Sequence, residues 1–346
     1  MEDAPKKSFV FVRCIVAGLF YPIAVSMKRV RVLVCGTNYG RIYRDAIQQA
    51  PRVFELAGIL ARGSARSKEM AKESGVPLYQ KVESLPGDID IACAAMGTSG
   101  EAAVLRLLER GIHVLCEHPH KPEFIDAAMR TAAHHGMCFH VNGHFAGLKA
   151  ASAFIKYCNL VGRFGAPFFL DAMVTDRSLY GALDILRRIT NTLEPWELFA
   201  RDHSSPFTAI KGAVGRVPVT FQIQRSATEG HIVLKDGDPR YIVDHRLAAG
   251  FSKGVLTMLS IAGPVIWNFN ISRPSALNRP MWTFIYGRPV TSFDLYRQRV
   301  RANLVAVRCL VKNVREHVIP EEQTREHILD VSLAWNRIST LICSQP

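Results

Sequence analysis

Two short stretches hold residue types that can do chemistry. Glu117-His118-Pro119 follows the apolar run Gly111-Ile-His-Val-Leu-Cys116 and so puts an imidazole where a strand would end. An imidazole titrates near neutral pH without tuning, which suits it to give or take a proton at a reacting atom. Glu117 stands beside it, able to orient the ring or to charge the site. The second stretch, Arg31-Val-Leu-Val-Cys-Gly-Thr-Asn-Tyr-Gly-Arg41, is an apolar β-type run that breaks into a glycine turn and opens a helix. A chain takes that form to hold a pyrophosphate at a helix N-terminus. Gly36 permits the tight turn and Gly40 lets the helix approach the phosphates, with Thr37, Asn38, Tyr39 and Arg41 completing the loop. Asn38 stands where a second glycine is usual, and asparagine tolerates left-handed backbone better than most residues. The two stretches together suggest a nucleotide-dependent enzyme with an imidazole near its chemistry; a plain βα turn is the blander alternative for the glycines.

The residues after the next apolar run bear on the nucleotide. An NAD-selective site ends its second strand with an acid for the ribose 2′-hydroxyl. Here the strand ends Leu60-Ala-Arg62-Gly-Ser64-Ala-Arg66-Ser67, with two arginines, two serines and no acid. Charge-assisted hydrogen bonds from such groups suit a 2′-phosphate, so the expected cofactor is NADP(H); a solvated basic loop is the alternative. Seven of the twelve histidines fall between positions 113 and 144, and zinc could in principle draw on His118, His140 and His144. No recognised ligand spacing accompanies them, so no metal is expected. Asp184 is an acid among apolar residues near the start of a helix, either a cap or ion pair or a group facing the cleft. No Gly-x-Ser-x-Gly elbow supports a serine hydrolase.

The elements that must position these groups read as two domains. From Val30 to about Phe145, β-type runs at Arg31–Cys35, Glu55–Leu60, Ile89–Ala94, His113–Cys116 and Cys138–Asn142 alternate with helical patterns at Ile42–Ala50, Ser67–Ser74, Glu101–Arg110 and Glu123–His134. This alternation predicts an α/β fold with a doubly wound parallel sheet of Rossmann type over residues 27–146. Ligands of such sheets collect at the carboxyl ends of the strands, where both motifs lie. Beyond Gly147 the pattern changes to helices at Leu148–Asn159 and Tyr180–Thr190 and β-type runs at Phe168–Thr175, Phe207–Ile210, Val217–Gln224, His231–Leu234, Tyr241–Arg246 and Gly254–Ser260. Turns are expected at Lys235-Asp-Gly-Asp-Pro239 and Ala262-Gly-Pro264. Residues 147–346 therefore read as an α+β domain with an open, mostly antiparallel sheet, suited to substrate binding and dimerisation. Its tail is helical over Arg301–Val314 and Arg325–Ile342, with Leu304, Val307, Val311 and Val314 on one stripe.

Bulk composition narrows the partners. The 346 residues are 48% hydrophobic and 21% charged, an ordinary globular balance, with a net charge of +13. The basic residues are scattered and accompany no groove-reading motif, which argues against nucleic acid; an anionic cofactor or acidic protein partner fits instead. The eight cysteines form no Cys-x-x-Cys pair, and several sit in apolar runs, as in a cytoplasmic protein. Phe9 to Ser26 is a mostly apolar run behind Lys6-Lys7, but Glu2, Asp3 and Arg13 disturb it. The preferred reading is that translation starts at Met27 and residues 1–26 are a spurious or disordered extension. A secretory signal or anchor is the alternative, the run being marginal for a membrane span.

These motifs resemble a known family. The order of Gly36-Thr-x-Tyr-Gly-Arg41, a strand, Glu-x-Pro, and then an open-sheet domain is similar to the glucose–fructose oxidoreductase and inositol dehydrogenase superfamily. The middle residue of Glu-x-Pro is a lysine in most of that superfamily; His118 in its place resembles the thiazolinyl imine reductases of yersiniabactin- and pyochelin-type siderophore assembly. Gly63-Ser-Ala-Arg-Ser67, Val76-Pro-Leu-Tyr79, Val141-Asn142, His245-Arg246-Leu247 and Gly263-Pro-Val-Ile-Trp267 extend the likeness from about Val30 to Asn270. The resemblance implies NADPH-dependent reduction of a thiazoline C=N bond to a thiazolidine. The substrate would ride on a peptidyl carrier domain of a nonribosomal peptide synthetase, an acidic partner for a basic chain. It also implies a homodimer, and Glu117 and His118 near the cofactor. His118 matches the family's first proton donor; at the second, a tyrosine, this chain has Phe145, leaving His144, Tyr180 or water to substitute. The other activity within the superfamily is an NAD(P)-dependent dehydrogenase of a sugar, inositol or other small substrate.

Overall fold

Apolar runs too short for helices, separated by amphipathic segments, leave the first half of the chain one economical arrangement: strands side by side with helices covering both faces. The computed structural model describes residues 28–202, 207–224, 245–270 and 280–343. In it, β1 (Val30–Cys35), α1 (Gly40–Gln48), β2 (Phe54–Leu60), α2 (Ala65–Ser74), β3 (Leu78–Tyr79), β4 (Ile91–Ala94), α3 (Glu101–Glu109), β5 (His113–Cys116), α4 (Pro122–His134) and β6 (Phe139–Val141) follow in turn. The six strands lie in the order β3-β2-β1-β4-β5-β6, and every pair is parallel. The order reverses between β1 and β4, so a crevice opens at their carboxyl ends. Strand β1 shows why the run had to be apolar throughout: Leu33 and Cys35 pack into one core, while Val32 and Val34 pack into the other.

The second sheet is built after α5 (Lys149–Gly162) from β7 (Phe169–Thr175), α6 (Leu179–Thr190), β8 (Trp196–Asp202), β9 (Phe207–Val214), β10 (Val217–Gln224), β11 (Arg246–Phe251), β12 (Gly254–Met258), β13 (Val265–Phe269) and β14 (Trp282–Tyr286). Its eight strands run β14-β13-β12-β11-β7-β10-β9-β8. Only β7 and β10 pair in parallel among the described strands; the other pairs are antiparallel. The architecture is thus the α/β plus mostly antiparallel α+β arrangement that the sequence predicts. Strands β3, β8, β13 and β14 are additional to that reading, and β11 lies beyond the expected run Tyr241–Arg246, sharing only Arg246 with it. β8 and β14 are edge strands with mostly exposed or half-buried residues, so they lack a clean apolar alternation. The expected strand His231–Leu234, the turn Lys235–Pro239 and most of Tyr241–Arg246 lie outside the described residues, as does the segment 1–26.

Helices α7 (Ser292–Glu316) and α8 (Arg325–Cys343) close the chain. α7 starts nine residues earlier than the apolar stripe suggested, because Thr291 and Asp294 form a reciprocal capping box at its first turn. Its stripe does not stay with the second domain. Val300, Leu304, Val307, Leu310 and Val311 join the same core as Val32, Val34, Ile42 and Tyr43. The tail of the chain thereby completes the core of the first domain. Among the described residues, no helix is long and apolar enough to cross a membrane.

Candidate active site

The crevice between β1 and β4 is a cavity of about 770 Å³, within the usual range for a ligand site. Gly36, Thr37 and Asn38 line it from the first turn, Arg62, Ser64 and Arg66 from the end of β2, and Ala95 and Met96 from the end of β4. Gly36 has φ +86°, and a Cβ there would lie 2.2 Å from the carbonyl oxygen of Ala95. Gly40 begins α1, whose N-terminus faces the same turn. A small-backed turn, a helix N-terminus and free basic side chains fit a dinucleotide: backbone N–H groups for the pyrophosphate, guanidinium groups for a terminal phosphate. Arg62 and Arg66 are exposed and make no ion pair among the described residues. Ser64 caps α2 by accepting from the Ser67 amide. Ser67, expected at the phosphate, is instead fully buried, with its hydroxyl donating to the Ser64 carbonyl at 2.8 Å. Arg41 is exposed on α1 and is absent from the cavity wall. The sequence reading overlooked the wall beyond β4, made by Met96, Ser99 and Gly100, which belong to neither motif.

One strand further along, β5 pairs with β4 so that Cys116 faces Ala94, and the Glu117 amide donates to the Ala94 carbonyl at 2.8 Å. Glu117 and His118 therefore project at the same sheet end as Ala95 and Met96. The His118–Pro119 peptide is cis. The His118 side chain is only 4% exposed, and its ring stacks on Tyr180 of α6 at 4.5 Å and lies parallel to His144 at 5.8 Å. Most histidines of the cluster are otherwise engaged. His113 accepts from the Cys138 amide, His120 bonds Glu101 at 2.8 Å, His140 bonds Asn313 at 2.9 Å, and His134 and His135 are exposed. His118 and His144 differ: all four of their ring nitrogens are buried without a hydrogen-bond partner. Buried polar atoms are normally satisfied, so two orphaned imidazoles side by side mark a place for a ligand.

Burial disfavours charge on both rings. His118 is pushed down to about 4 by desolvation, against which Asp184 acts in the opposite sense. His144 is driven well below its ordinary value by burial and by neighbouring His118 and Arg299. Glu117, 14% exposed, moves the opposite way, up to about 8, because burial outweighs the hydrogen bonds it accepts from Asn142 and Tyr43. Both donors reach Oε2, each at 3.0 Å. Asn142 also bonds Asn303 of α7 at 2.7 Å, and Asn303 donates to the Tyr39 hydroxyl at 3.0 Å. This polar network ties the first turn, β5, β6 and the final third of the chain together. Spacing along the sequence could not reveal Asn303, because it arrives from 161 residues beyond Asn142.

Tyr180 is buried, with its hydroxyl 3.5 Å from Ser332, and offers His118 its ring face rather than its oxygen. Asp184, one of the candidate acids, is held in a buried ion pair. His327 donates to it at 2.8 Å and Arg188 at 3.2 Å. Burial alone would raise it, but Arg188 and His327 keep it below the usual carboxylate range. The ion-pair alternative describes it better than a proton donor does. Gly181 on the same helix is needed for packing, since a Cβ there would meet Phe145 at 2.6 Å and the His245 ring at 2.9 Å. Among the described residues, the donor atoms of Glu117, His118 and His144 converge within 4.8 Å. The reading that grouped His140 with them fails, because His140 turns toward Asn313.

The shift of Glu117 predicts a pH-dependent stability. The folded chain holds that proton up to about pH 8, whereas an unfolded chain releases it near 4.5. A raised value means stability falls as pH rises through that window. The Glu117→Gln variant lacks the effect, so its melting temperature relative to wild type is expected to climb between about pH 5 and about pH 8. A difference that stays flat across this range would contradict the assignment.

Residues 30–143 match the family model GFO_IDH_MocA, the oxidoreductase family with an NAD-binding Rossmann fold. Over this segment the chain is similar to the Gfo/Idh/MocA Rossmann domains. The match reaches the superfamily and does not distinguish an imine-reductase branch within it. Solved structures repeat the likeness over both domains. UDP-N-acetylglucosamine 3-dehydrogenase GnnA from Acidithiobacillus ferrooxidans superposes with a TM-score of 0.66 at 16% identity, covering 91% of this chain and 98% of its own. Levoglucosan dehydrogenase, in complex with NADH and levoglucosan, gives 0.68 at 13% identity, covering 90% and 97%. A putative myo-inositol dehydrogenase from Sinorhizobium meliloti 1021 gives 0.63 at 14% identity, covering 89% and 95%. At these identities the likeness is one of fold. No curated protein matches the chain significantly.

Proposed function

We propose that this chain is an NAD(P)-dependent oxidoreductase in which His118 moves the proton that accompanies hydride transfer on a small substrate. The observation that carries the proposal is the pair of orphaned imidazoles at the sheet end next to the nucleotide crevice. The bound dinucleotide supplies or accepts the hydride. The chain's own work is to hold the substrate against the Tyr180, His144 and Phe145 rings, to exclude water, and to keep a His118 nitrogen open toward the reacting heteroatom.

The better-supported substrate is a secondary alcohol of a sugar- or inositol-like molecule. His118, neutral above about pH 5 by virtue of burial, is set as a base. The structural relatives are named as dehydrogenases of a sugar nucleotide, levoglucosan and, putatively, myo-inositol. One observation favours the second reading, reduction of a carrier-tethered thiazoline C=N bond. The walls around His118 are aromatic rings, which suit a flat heterocycle better than a polyol. The test is absorbance-monitored turnover: NAD(P)+ with inositols and sugars in one series, NAD(P)H with a thiazoline thioester in the other. Binding of the dinucleotide without turnover in either would remove both substrate classes.

NADP(H) is proposed as the preferred cofactor, on the strength of Arg62, Ser64 and Arg66 at the cavity wall. Replacing Arg62 and Arg66 together with alanine is expected to weaken NADPH binding by about 10- to 100-fold and leave NADH nearly unchanged. Equal weakening of both in a fluorescence titration would sink the 2′-phosphate reading. The seven described cysteines are unpaired, in keeping with a cytoplasmic enzyme. Exposed Phe169, Phe199, Trp282 and Phe284 on the second sheet support a homodimer, which light scattering tests.

A further inference from the structure

The site holds a carboxyl group that the reading above does not use. Glu117 presents its two oxygens to different surroundings. Oε2 takes both hydrogen bonds, from Tyr43 and Asn142. Oε1 takes none and points between two rings, 3.8 Å from Nε2 of His118 and 3.7 Å from Nδ1 of His144. We propose that Glu117 is a proton store for His118, delivering its Oε1 hydrogen to Nε2 as the opposite ring nitrogen gives a proton to substrate, and taking it back in the reverse direction. The inference rests on His118 having the role given above.

The charges around the pair support a stored proton. Tyr39 faces Glu117 from the turn before α1, Tyr43 from α1, Cys93 from β4 and Cys116 from β5. All four are raised by burial and stay neutral. Asp184 of α6 and His245, which precedes β11, face His118, while Arg299 of α7 faces His144. Asp184 is already held by Arg188 and His327, so it supplies no free negative charge. With burial raising the acid and lowering the base, the proton belongs on the carboxyl group while the pair rests.

The balance of the step is simple. In the reductive direction His118 starts neutral with hydrogen on Nδ1 and gives it to the substrate nitrogen or oxygen. Nε2 takes the Glu117 hydrogen, so the ring ends neutral in its other tautomer and Glu117 ends as a carboxylate. The electron pair arrives with the hydride, which is the reduced nicotinamide's contribution. No imidazolium is formed; the charge falls on Glu117, where Tyr43 and Asn142 already donate to Oε2, and the carboxylate regains its proton from solvent before the next turnover. The 3.8 Å separation is longer than a hydrogen bond, as catalytic contacts commonly are before substrate tightens them. It is too short for a bridging water. It is also wider than the spacing of about 3.4 Å between ligand atoms in a tetrahedral zinc shell with bonds near 2.0–2.1 Å.

Difference infrared spectroscopy on the full-length protein without substrate tests this independently of turnover. Wild type minus Glu117→Gln should show the carbonyl stretch of a protonated carboxyl group at about pH 6, shifted in heavy water and fading near pH 8. The His118→Ala variant should keep that band. An ionised carboxylate at about pH 6 would overturn the proposal. So would one equivalent of bound zinc that is lost in both Glu117→Gln and His144→Ala, since the trio would then be a ligand set. Failure of dinucleotide binding, by contrast, would remove the oxidoreductase reading and leave the band in place. Once turnover is measurable, Glu117→Gln should lower kcat by about 10²-fold with cofactor affinity unchanged, and Glu117→Asp should recover part of the loss.

Discussion

Replacing His118 with alanine is expected to lower kcat by about 10²- to 10⁴-fold while leaving dinucleotide affinity nearly intact. The split follows from position. The nucleotide crevice is lined by residues after β1, β2 and β4, and His118 is not among them. Its ring instead sits between Tyr180 and His144 with both nitrogens unpartnered. Removing it takes away the proton-transfer atom and leaves the phosphate-binding turn untouched. The same burial fixes the pH profile. Because His118 is pushed down to about 4, the acidic limb of kcat/KM should lie well below the 6.5 of an ordinary histidine if that ring alone takes the proton. Alcohol oxidation relayed to Glu117 instead needs its carboxylate and should fall off below about pH 8. Truncation also leaves a gap against the Tyr180 face, so melting temperature must be followed alongside. His118→Asn, which keeps more of the volume, should lose activity equally with a smaller loss of stability. A variant retaining more than about a third of wild-type kcat would show that the proton travels by another route.

The first domain was legible because its physics is local. Each strand had to be apolar throughout to lie between two layers of helix, and each glycine turn stood in sequence next to the strand it ends. Gly36 and His118 announce themselves for that reason. What the sequence hid is what arrives from far away or from unremarkable residues. Asn303 and the apolar stripe of α7 complete the first domain from more than 150 residues beyond its last strand, and nothing in their spacing names that destination. Met96, Ser99 and Gly100 line the nucleotide cavity only because β4 happens to end beside β1. Edge strands β8 and β14 escaped notice because much of their length is exposed, which removes the alternation by which half-buried strands are read. Asp184 shows what sequence leaves open. An acid in an apolar helix reads either as an ion pair or as a group facing the cleft, and Arg188 one turn along with His327 from α8 accounts for its charge.

The second large effect is expected at Gly36, where alanine should cost stability and dinucleotide binding together. The backbone there has φ +86°, a conformation that costs an L-residue about 1–2 kcal/mol. Strain is the smaller part. The added Cβ would sit 2.2 Å from the Ala95 carbonyl oxygen and 2.9 Å from its carbon, both main-chain atoms. Neither side can yield cheaply. The Gly36 amide donates to Leu60 at 2.9 Å on the β2 side, and the Ala95 amide donates to Cys35 at 2.8 Å on the β4 side. Separating β1 from β4 therefore breaks sheet hydrogen bonds at the point where the crevice opens. The total is expected at about 2–4 kcal/mol of stability, with dinucleotide affinity falling by about 10²-fold. Gly75 supplies the control. It has a positive φ, +64°, in the left-handed region at the end of α2, but a Cβ there meets nothing within 4 Å. Gly75→Ala should thus show the backbone strain alone, about 1–2 kcal/mol, with little change in affinity. Equal losses at the two positions, measured by denaturant unfolding and fluorescence titration, would mean that conformation and not the collision with Ala95 makes glycine necessary at Gly36.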